Sequence, residues 1–232
     1  MVEAAAPTGV PAPNGREALR DTVYAHMLRL LTSGEMPPGS HLSERMLAER
    51  FSVSRGPIRE AIRLLERDGW VRFEVGRGSF VRQLSPDEVE QVYEARMVVE
   101  SASARLAAIR LPAAGCPDLY AIVEAAEQLL ATDPTAVDKL SALTLRFHHE
   151  VSRLSENALL ITFSEQMRTM SHLVVLPLVP QIAPRAWDEH RAIADAIRVG
   201  DSLRAEALMA DHLEWSRRVR RQATERSSNG HD

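Results

Sequence analysis

Residues 34–81 read GEMPPGSHLSERMLAERFSVSRGPIREAIRLLERDGWVRFEVGRGSFV, and the order of helix and turn signals along them decides the fold. Pro37 and Pro38 stop whatever helix precedes them, because neither can continue its hydrogen-bond ladder. Ser43 opens a short helix, SERMLAERF, with Met46, Leu47, Ala48 and Phe51 as its inner face. The tetrapeptide Ser52-Val53-Ser54-Arg55 is a turn, and Ser54 stands where it can cap a third helix. That helix turns Ile58, Ala61, Ile62 and Leu65 inward, and Gly69 closes it. Two short alternating segments around Gly76-Arg77-Gly78 then read as a β-hairpin. Upstream, Leu19, Val23, Met27, Leu30 and Leu31 recur at spacings of three and four, which makes a first helix from about Glu17. Three helices, a serine-rich turn between the last two and a terminal hairpin make a winged helix-turn-helix over residues 16–84.

Such a unit reads DNA by laying its third helix in the major groove, with the helix N-terminus at the base edges. Arg55 and Arg59 lie four apart and share a face of that helix. The planar fork of arginine suits the position, because it can donate two hydrogen bonds to guanine O6 and N7. Arg63 continues the stripe one turn later, toward backbone phosphate. Gly76 and Gly78 allow a tight turn that projects Arg77 toward a minor groove or phosphate. Taken alone, these arginines read first as a solvated helix face. Charge distribution leans the other way: residues 16–84 hold twelve arginines against nine acids, so +3 sits here and −7 elsewhere in a chain of net −4.

Ser85-Pro86-Asp87-Glu88 is a helix start, with serine as cap, proline in the first position and acids following. Helical periodicity runs from there to about Gln222, with breaks near 111–117, 132–135, 155–157, 177–186 and 200. The fold expected is mainly α: an N-terminal winged helix-turn-helix followed by an all-α bundle of six or seven helices over 85–222. Residues 1–15, rich in Ala, Pro and Gly, read as a disordered leader, and 223–232 as a disordered tail.

Composition excludes several classes. The chain of 232 residues is 45% hydrophobic and 26% charged, as expected of a soluble globular protein with no membrane partner. Its longest apolar run, Leu173 to Val179, is too short to span a bilayer and contains Pro177. The N-terminus lacks the basic start and apolar segment of a signal peptide. One cysteine, Cys116, permits no internal disulfide and fits a reducing cytoplasm.

The stretch quoted above resembles the DNA-binding domain of GntR-family bacterial regulators in its PPGSHLSE turn, its LAERF-VSR-P-IREAI run, its L-E-DG helix end and its GRGSFV wing. The resemblance covers almost all of residues 19–82 and implies DNA contacts at Arg45, Ser54, Arg55, Arg59 and the Gly76-Arg77-Gly78 wing tip. Gly56 departs from the threonine usual between the arginine and the proline, which removes one hydroxyl-to-phosphate contact.

The helical half resembles the FadR-like branch of that family, with its FCD effector domain, in YEARMVVESASARLAA, RFHHEVSRLSENALL, DEHRAIADAIRVGD and AEALMADHLEW. His148, His190 and His212 fall on three different helices. Neutral imidazoles converging inside a bundle could hold a divalent metal such as Zn2+ or Ni2+, and the resemblance implies such a site. The family has an aspartate four residues before its motif histidine, where this chain has Thr144, a poor metal donor. Equally open is a metal-free effector pocket with the histidines as core or surface residues. His149 points about 100° away from His148 and is not expected as a ligand. His172 could line the pocket from another helix. Arg96 stands at the family's ligand-facing arginine, where it could pair either with an effector carboxylate or with Glu100 one turn on. Asn157 reads as a cap, and Met167, Met170, Leu173, Leu176, Trp187 and Trp215 as core.

These readings point to a homodimeric repressor on a pseudo-palindromic double-stranded operator, answering to a small organic acid held near Arg96 and Thr144. A metal-free regulator with a larger acyl ligand is the second reading. A metal-dependent hydrolase is the third, weakened because no H-E-x-x-H pattern supplies a general base.

Overall fold

Apolar side chains at helical spacing bury one face each of α1 (Arg16–Thr32), α2 (Glu44–Phe51) and α3 (Arg55–Arg67), and the three helices close on that common core. The computed structural model describes residues 16–111 and 115–229, in two compact units that divide between Gln83 and Leu84. In the first unit Val23, Met27, Phe51, Ile58, Ala61 and Leu65 form the centre. Tyr24 ties α1 to the end of α3 by donating its hydroxyl to Asp68 Oδ2 at 2.7 Å. Strands β1 (Val71–Glu74) and β2 (Gly78–Val81) pair antiparallel, with Val71 opposite Val81 and Glu74 opposite Gly78. Gly78 has φ +99°, and a Cβ there would stand 2.9 Å from His41 Nε2, so the wing needs glycine at this position.

Two local expectations need correction. Met46 is 63% exposed, whereas Leu47, Ala48 and Phe51 are buried. The core stripe on so short a helix runs through Leu47 and Phe51, and Met46 sits a 100° step off it. Ser54 does occupy the N-cap of α3 with extended backbone, yet its hydroxyl makes no capping bond. The third residue of α3 is Pro57, which has no N–H to donate. Ser43 caps α2 through a 3.4 Å bond from Met46 N–H.

The second unit is α4 (Pro86–Arg110), α5 (Pro117–Thr132), α6 (Val137–Leu154), α7 (Ala158–Val175), a 3-10 turn (Leu176–Leu178), α8 (Val179–Arg198) and α9 (Ser202–Asn229). Helices α4 and α9 pack along each other, α6 packs on α4, α8 on α9, and α5 on α6 and α8, around Leu119, Phe147, Val151, Trp187, Ile193 and Leu213. A reciprocal cap starts α4: Glu88 N–H donates to Ser85 Oγ, and Ser85 N–H donates to Glu88 Oε2 at 2.8 Å. Asn157 caps α7 by accepting from Leu159 and Leu160. Trp187, Leu173 and Leu176 are buried, while Met167, Met170 and Trp215 are partly so.

The chain is α-helical through 179–186, where a break was expected, and departs from α geometry only in the 3-10 turn over 176–178. Pro180 lies in the first turn of α8, where a missing N–H costs nothing. Pro184 lies inside the helix and forfeits one bond, at about 3 kcal/mol. Burial of Ile182, Ala183, Ala186 and Trp187 on the same stretch offsets that loss. Residues 223–229, expected as a disordered tail, continue α9, since no Gly or Pro interrupts the chain before Gly230. The expected leader, 1–15, lies outside the described residues. No helix among the described residues is long and apolar enough to cross a membrane.

Removing the serine of the reciprocal cap tests its contribution. Ser85→Ala is expected to lower the stability of the helical unit by about 1 kcal/mol. Urea unfolding followed by circular dichroism measures it, and an unmoved midpoint would show that the cap is idle.

Candidate functional site

With one face of α3 spent on the core, Arg55, Arg59 and Arg63 are left exposed along the other, beginning at its first residue. Arg59 is held by a carboxylate that the sequence did not single out. Its Nε and Nη2 donate to Glu44 Oε1 and Oε2 at 2.9 and 2.8 Å, across from the first residue of α2. The Arg59 hydrogen bond lowers the Glu44 pKa. Arg45 is exposed and sits 3.6 Å from Glu49, one turn on. At the wing, Arg77 pairs with Glu74, and its guanidinium lies 5.1 Å above the Phe80 ring. Gly76 and Gly78 both have positive φ on either side of it. Ser54 is exposed, with a hydroxyl not committed to its helix. The unit therefore presents a short basic face that ends in a basic hairpin tip.

In the helical unit, α6, α8 and α9 bring His148, His190 and His212 together, with one nitrogen of each inside a common 4.8 Å span. His190 is fully buried between Phe147, stacked at 4.2 Å, and Trp187, edge-on at 4.6 Å. Its Nε2 stands 3.2 Å from His212 Nε2. His212 Nδ1 is 2.8 Å from Glu189 Oε2, and Glu189 also accepts from Arg185 Nε at 2.8 Å. His148 Nδ1 is 2.7 Å from Glu100 Oε2. Arg96, on α4 and 2% exposed, donates to Glu100 at 2.7 and 3.3 Å, while its Nη1 has no hydrogen-bond partner. Thr144 donates its hydroxyl to Leu140 O at 3.0 Å, within its own helix.

Burial governs the protonation of these groups. It pushes the His190 pKa well below the ordinary value, and its histidine and Arg96 neighbours push the same way. His148 is lowered by burial against the opposing pull of Glu100. Burial would raise Glu100, but Arg96 and then His148 outweigh it and hold the carboxyl far below the usual range. A cavity of about 10 Å3 lies among Arg96, Thr144, His148 and His212, walled by Val175, Val179, Ile182 and Ala183. That is room for about one water.

The donor set suits a divalent cation. Two nitrogens each 2.0–2.1 Å from one zinc ion stand about 3.3 Å apart in tetrahedral geometry, close to the 3.2 Å between His190 and His212. Both ring nitrogens of His148 are buried without a hydrogen-bond partner. A carboxylate hydrogen-bonded at His212 Nδ1 orients that ring so that its Nε2 is left to the centre, while Glu100 Oε2 stands 2.7 Å from His148 Nδ1 as a charge contact. His149 lies outside this cluster and lines an outer groove of about 490 Å3 with Leu145, Arg146 and Glu165. His172 is buried on α7, also outside the cluster. Arg96 meets Glu100, one of its two expected partners, and its side chain also lines the cavity. Glu100 in its second role, Glu189 and Glu44 escaped the sequence reading. Each meets its partner across helices, and nothing in local spacing marks such a meeting.

Comparison with known proteins agrees with this geometry. Residues 19–81 match the family described as bacterial regulatory proteins, gntR family, and residues 91–214 match the FCD domain. The chain is 28% identical over 203 residues to the HTH-type transcriptional repressor RspR of Escherichia coli, covering 87% of this chain and 88% of that one. It is also 28% identical to the HTH-type transcriptional regulator LutR of Bacillus subtilis, over 79% of this chain and 93% of the other. Escherichia coli McbR/YncC shares the fold at a TM-score of 0.74 and 17% identity, across 89% of this chain and 98% of that one.

The buried pair gives a test that needs no resemblance. Glu100→Ala strips Arg96 of its carboxylate inside the bundle and is expected to cost about 3–5 kcal/mol. Thr144→Val removes only a bond within one helix and should change stability by about 1 kcal/mol or less. Chemical denaturation of the two variants measures both, and equal losses would contradict this placement of charge.

Proposed function

The chain belongs to the gntR family of bacterial regulatory proteins and carries an FCD domain, and from that premise we propose that it is an effector-controlled, homodimeric repressor acting in the cytoplasm. That it is a DNA-binding transcriptional regulator rather than an enzyme follows from the family itself. The finer reading rests above all on one arrangement: His148, His190 and His212 cluster inside the bundle, and His148 and His212 line one small cavity together with Arg96, whose Nη1 is buried without a hydrogen-bond partner. Such a place attracts a carboxylate.

On DNA, Arg55 and Arg59 read guanine edges from the start of α3, and Ser54 and Arg45 hold phosphates beside them. The Gly76-Arg77-Gly78 tip follows the backbone or enters the minor groove. Two such heads in a two-fold dimer demand a pseudo-palindromic operator. Repression is supported by the likeness to a protein named as a repressor.

In the helical unit, His148, His190 and His212 would hold a divalent metal, Zn2+ or Ni2+. When bound, such an ion supplies a concentrated positive charge toward which an acid turns its carboxylate. Arg96 Nη1 offers that carboxylate a charge-assisted hydrogen bond, and Glu100 fixes the guanidinium in place. Val175, Val179 and Ile182 form the apolar wall against the remainder of a small acid. A long acyl ligand would require that wall to open widely. The acid controls DNA binding only if it prefers one arrangement of the dimer, and the coupling then works in both directions.

The DNA reading is tested on a duplex selected from a random pool by the purified chain. Arg55→Ala is expected to weaken binding by about 1–3 kcal/mol and relax preference at one base position. Arg45→Ala should weaken all sequences alike and lower the salt slope by about 1. Unchanged specificity in the first variant would place base reading elsewhere. For the helical unit, elemental analysis of the chain purified with an organic acid present is expected to find about one metal per chain, lost in His190→Ala. A metal-free wild type that still answered to organic acids would sink the metal and keep the regulator.

A further inference from the structure

The buried centre is already neutral before any ligand arrives. Of the two carboxylates that touch its histidines, Glu100 is matched by Arg96 and Glu189 by Arg185. The three imidazoles ligate in their neutral form. Thr144, which faces the same cavity, brings no charge and has turned its hydroxyl to Leu140 O. A divalent cation placed here would leave two positive charges without an answering anion. His148, His190 and His212 are all buried, so solvent cannot screen that excess cheaply.

The same cavity holds the means of compensation. Arg96 Nη1 is buried and has no hydrogen-bond partner, although its guanidinium charge is engaged at the far side by Glu100. An anion admitted beside it would satisfy this nitrogen and balance the cation at once. The volume of about 10 Å3 restricts the entering group to a small head, such as one carboxylate oxygen, unless the apolar wall gives way.

We infer that a divalent metal and a small carboxylate occupy this centre cooperatively, each strengthening the other, and that Thr144 creates this dependence by supplying no anionic ligand of its own. The inference rests on the metal reading proposed above and adds its regulation. Metal content becomes part of the signal, so the regulator answers to the coincidence of cation and acid rather than to the acid alone. By linkage, the metal must raise the affinity for the anion by the same factor. A carboxylate at position 144 would supply the missing charge permanently and uncouple the two.

The full-length chain, stripped of metal, is titrated with Zn2+ against a chromophoric chelator in a perchlorate medium, with and without saturating formate. Formate, the smallest carboxylate, is expected to tighten Zn2+ binding by about 5–150-fold. Thr144→Asp should bind Zn2+ tightly without formate and gain little from it, whereas Thr144→Asn, of similar size but neutral, should keep the dependence. One tight Zn2+ per chain, equal with and without formate, overturns the coupling and leaves the metal site standing. No Zn2+ bound under either condition overturns the metal reading and this inference with it. Formate dependence that survives unchanged in a folded Thr144→Asp overturns the role of Thr144. Should that variant not fold, the wild-type comparison still decides the coupling, and Thr144→Asn, if it loses the dependence, counts against the charge argument.

Discussion

A guanidinium buried inside a helical bundle must have its charge matched where it lies, because the apolar surroundings cannot do so. Arg96 is such a group, and much of the helical unit is arranged around it. Glu100 supplies the match from one turn along α4, close enough for two hydrogen bonds. Having taken that place, Glu100 also stands 2.7 Å from His148 on α6, so one carboxylate holds the arginine and lies against an imidazole. Around the far side, Arg185, Glu189 and His212 repeat the sequence of cation, carboxylate and imidazole on α8 and α9. His190, between the two chains, has no carboxylate and is fixed by the rings of Phe147 and Trp187. The result is a polar centre whose charges cancel and whose ring nitrogens converge.

The reading head uses the same device under opposite conditions. Arg59 and Arg77 are paired with Glu44 and Glu74, but these pairs are open to water. An exposed ion pair contributes about 0–1 kcal/mol, so phosphate or a guanine edge can displace the carboxylate at small cost. Buried pairs hold a site in shape, while exposed ones keep side chains oriented and available. The excess of +3 in this region is correspondingly modest.

Much of the architecture was legible from local signals. Pro86 behind Ser85, the spacing of Ile58, Ala61, Ile62 and Leu65, and the paired glycines of the wing each act within a few residues, so the amino-acid order alone exposes them. The histidines were legible as a set only through the resemblance to the FCD effector domain, since α6 also carries His149 and α7 carries His172. Local rules failed where neighbours in space overrule neighbours in sequence. Met46 fits a helical stripe yet faces water. Pro180 and Pro184 signal a break that core burial overrides in α8.

Residue order by itself determined a winged helix-turn-helix joined to an all-helical unit, the arginines at the start of the reading helix, and the presence of His148, His190, His212 and Thr144. Those features depend on periodicity, caps and turn chemistry, which act over one or two turns of chain. Only the tertiary structure decided that Glu44 holds Arg59, that Glu100 serves Arg96 and His148 together, and that Glu189 orients His212. Each of these contacts joins residues on different helices or gives a second partner to a pair within one. Their distances are set by how helix faces pack against each other, and no spacing along the chain records that.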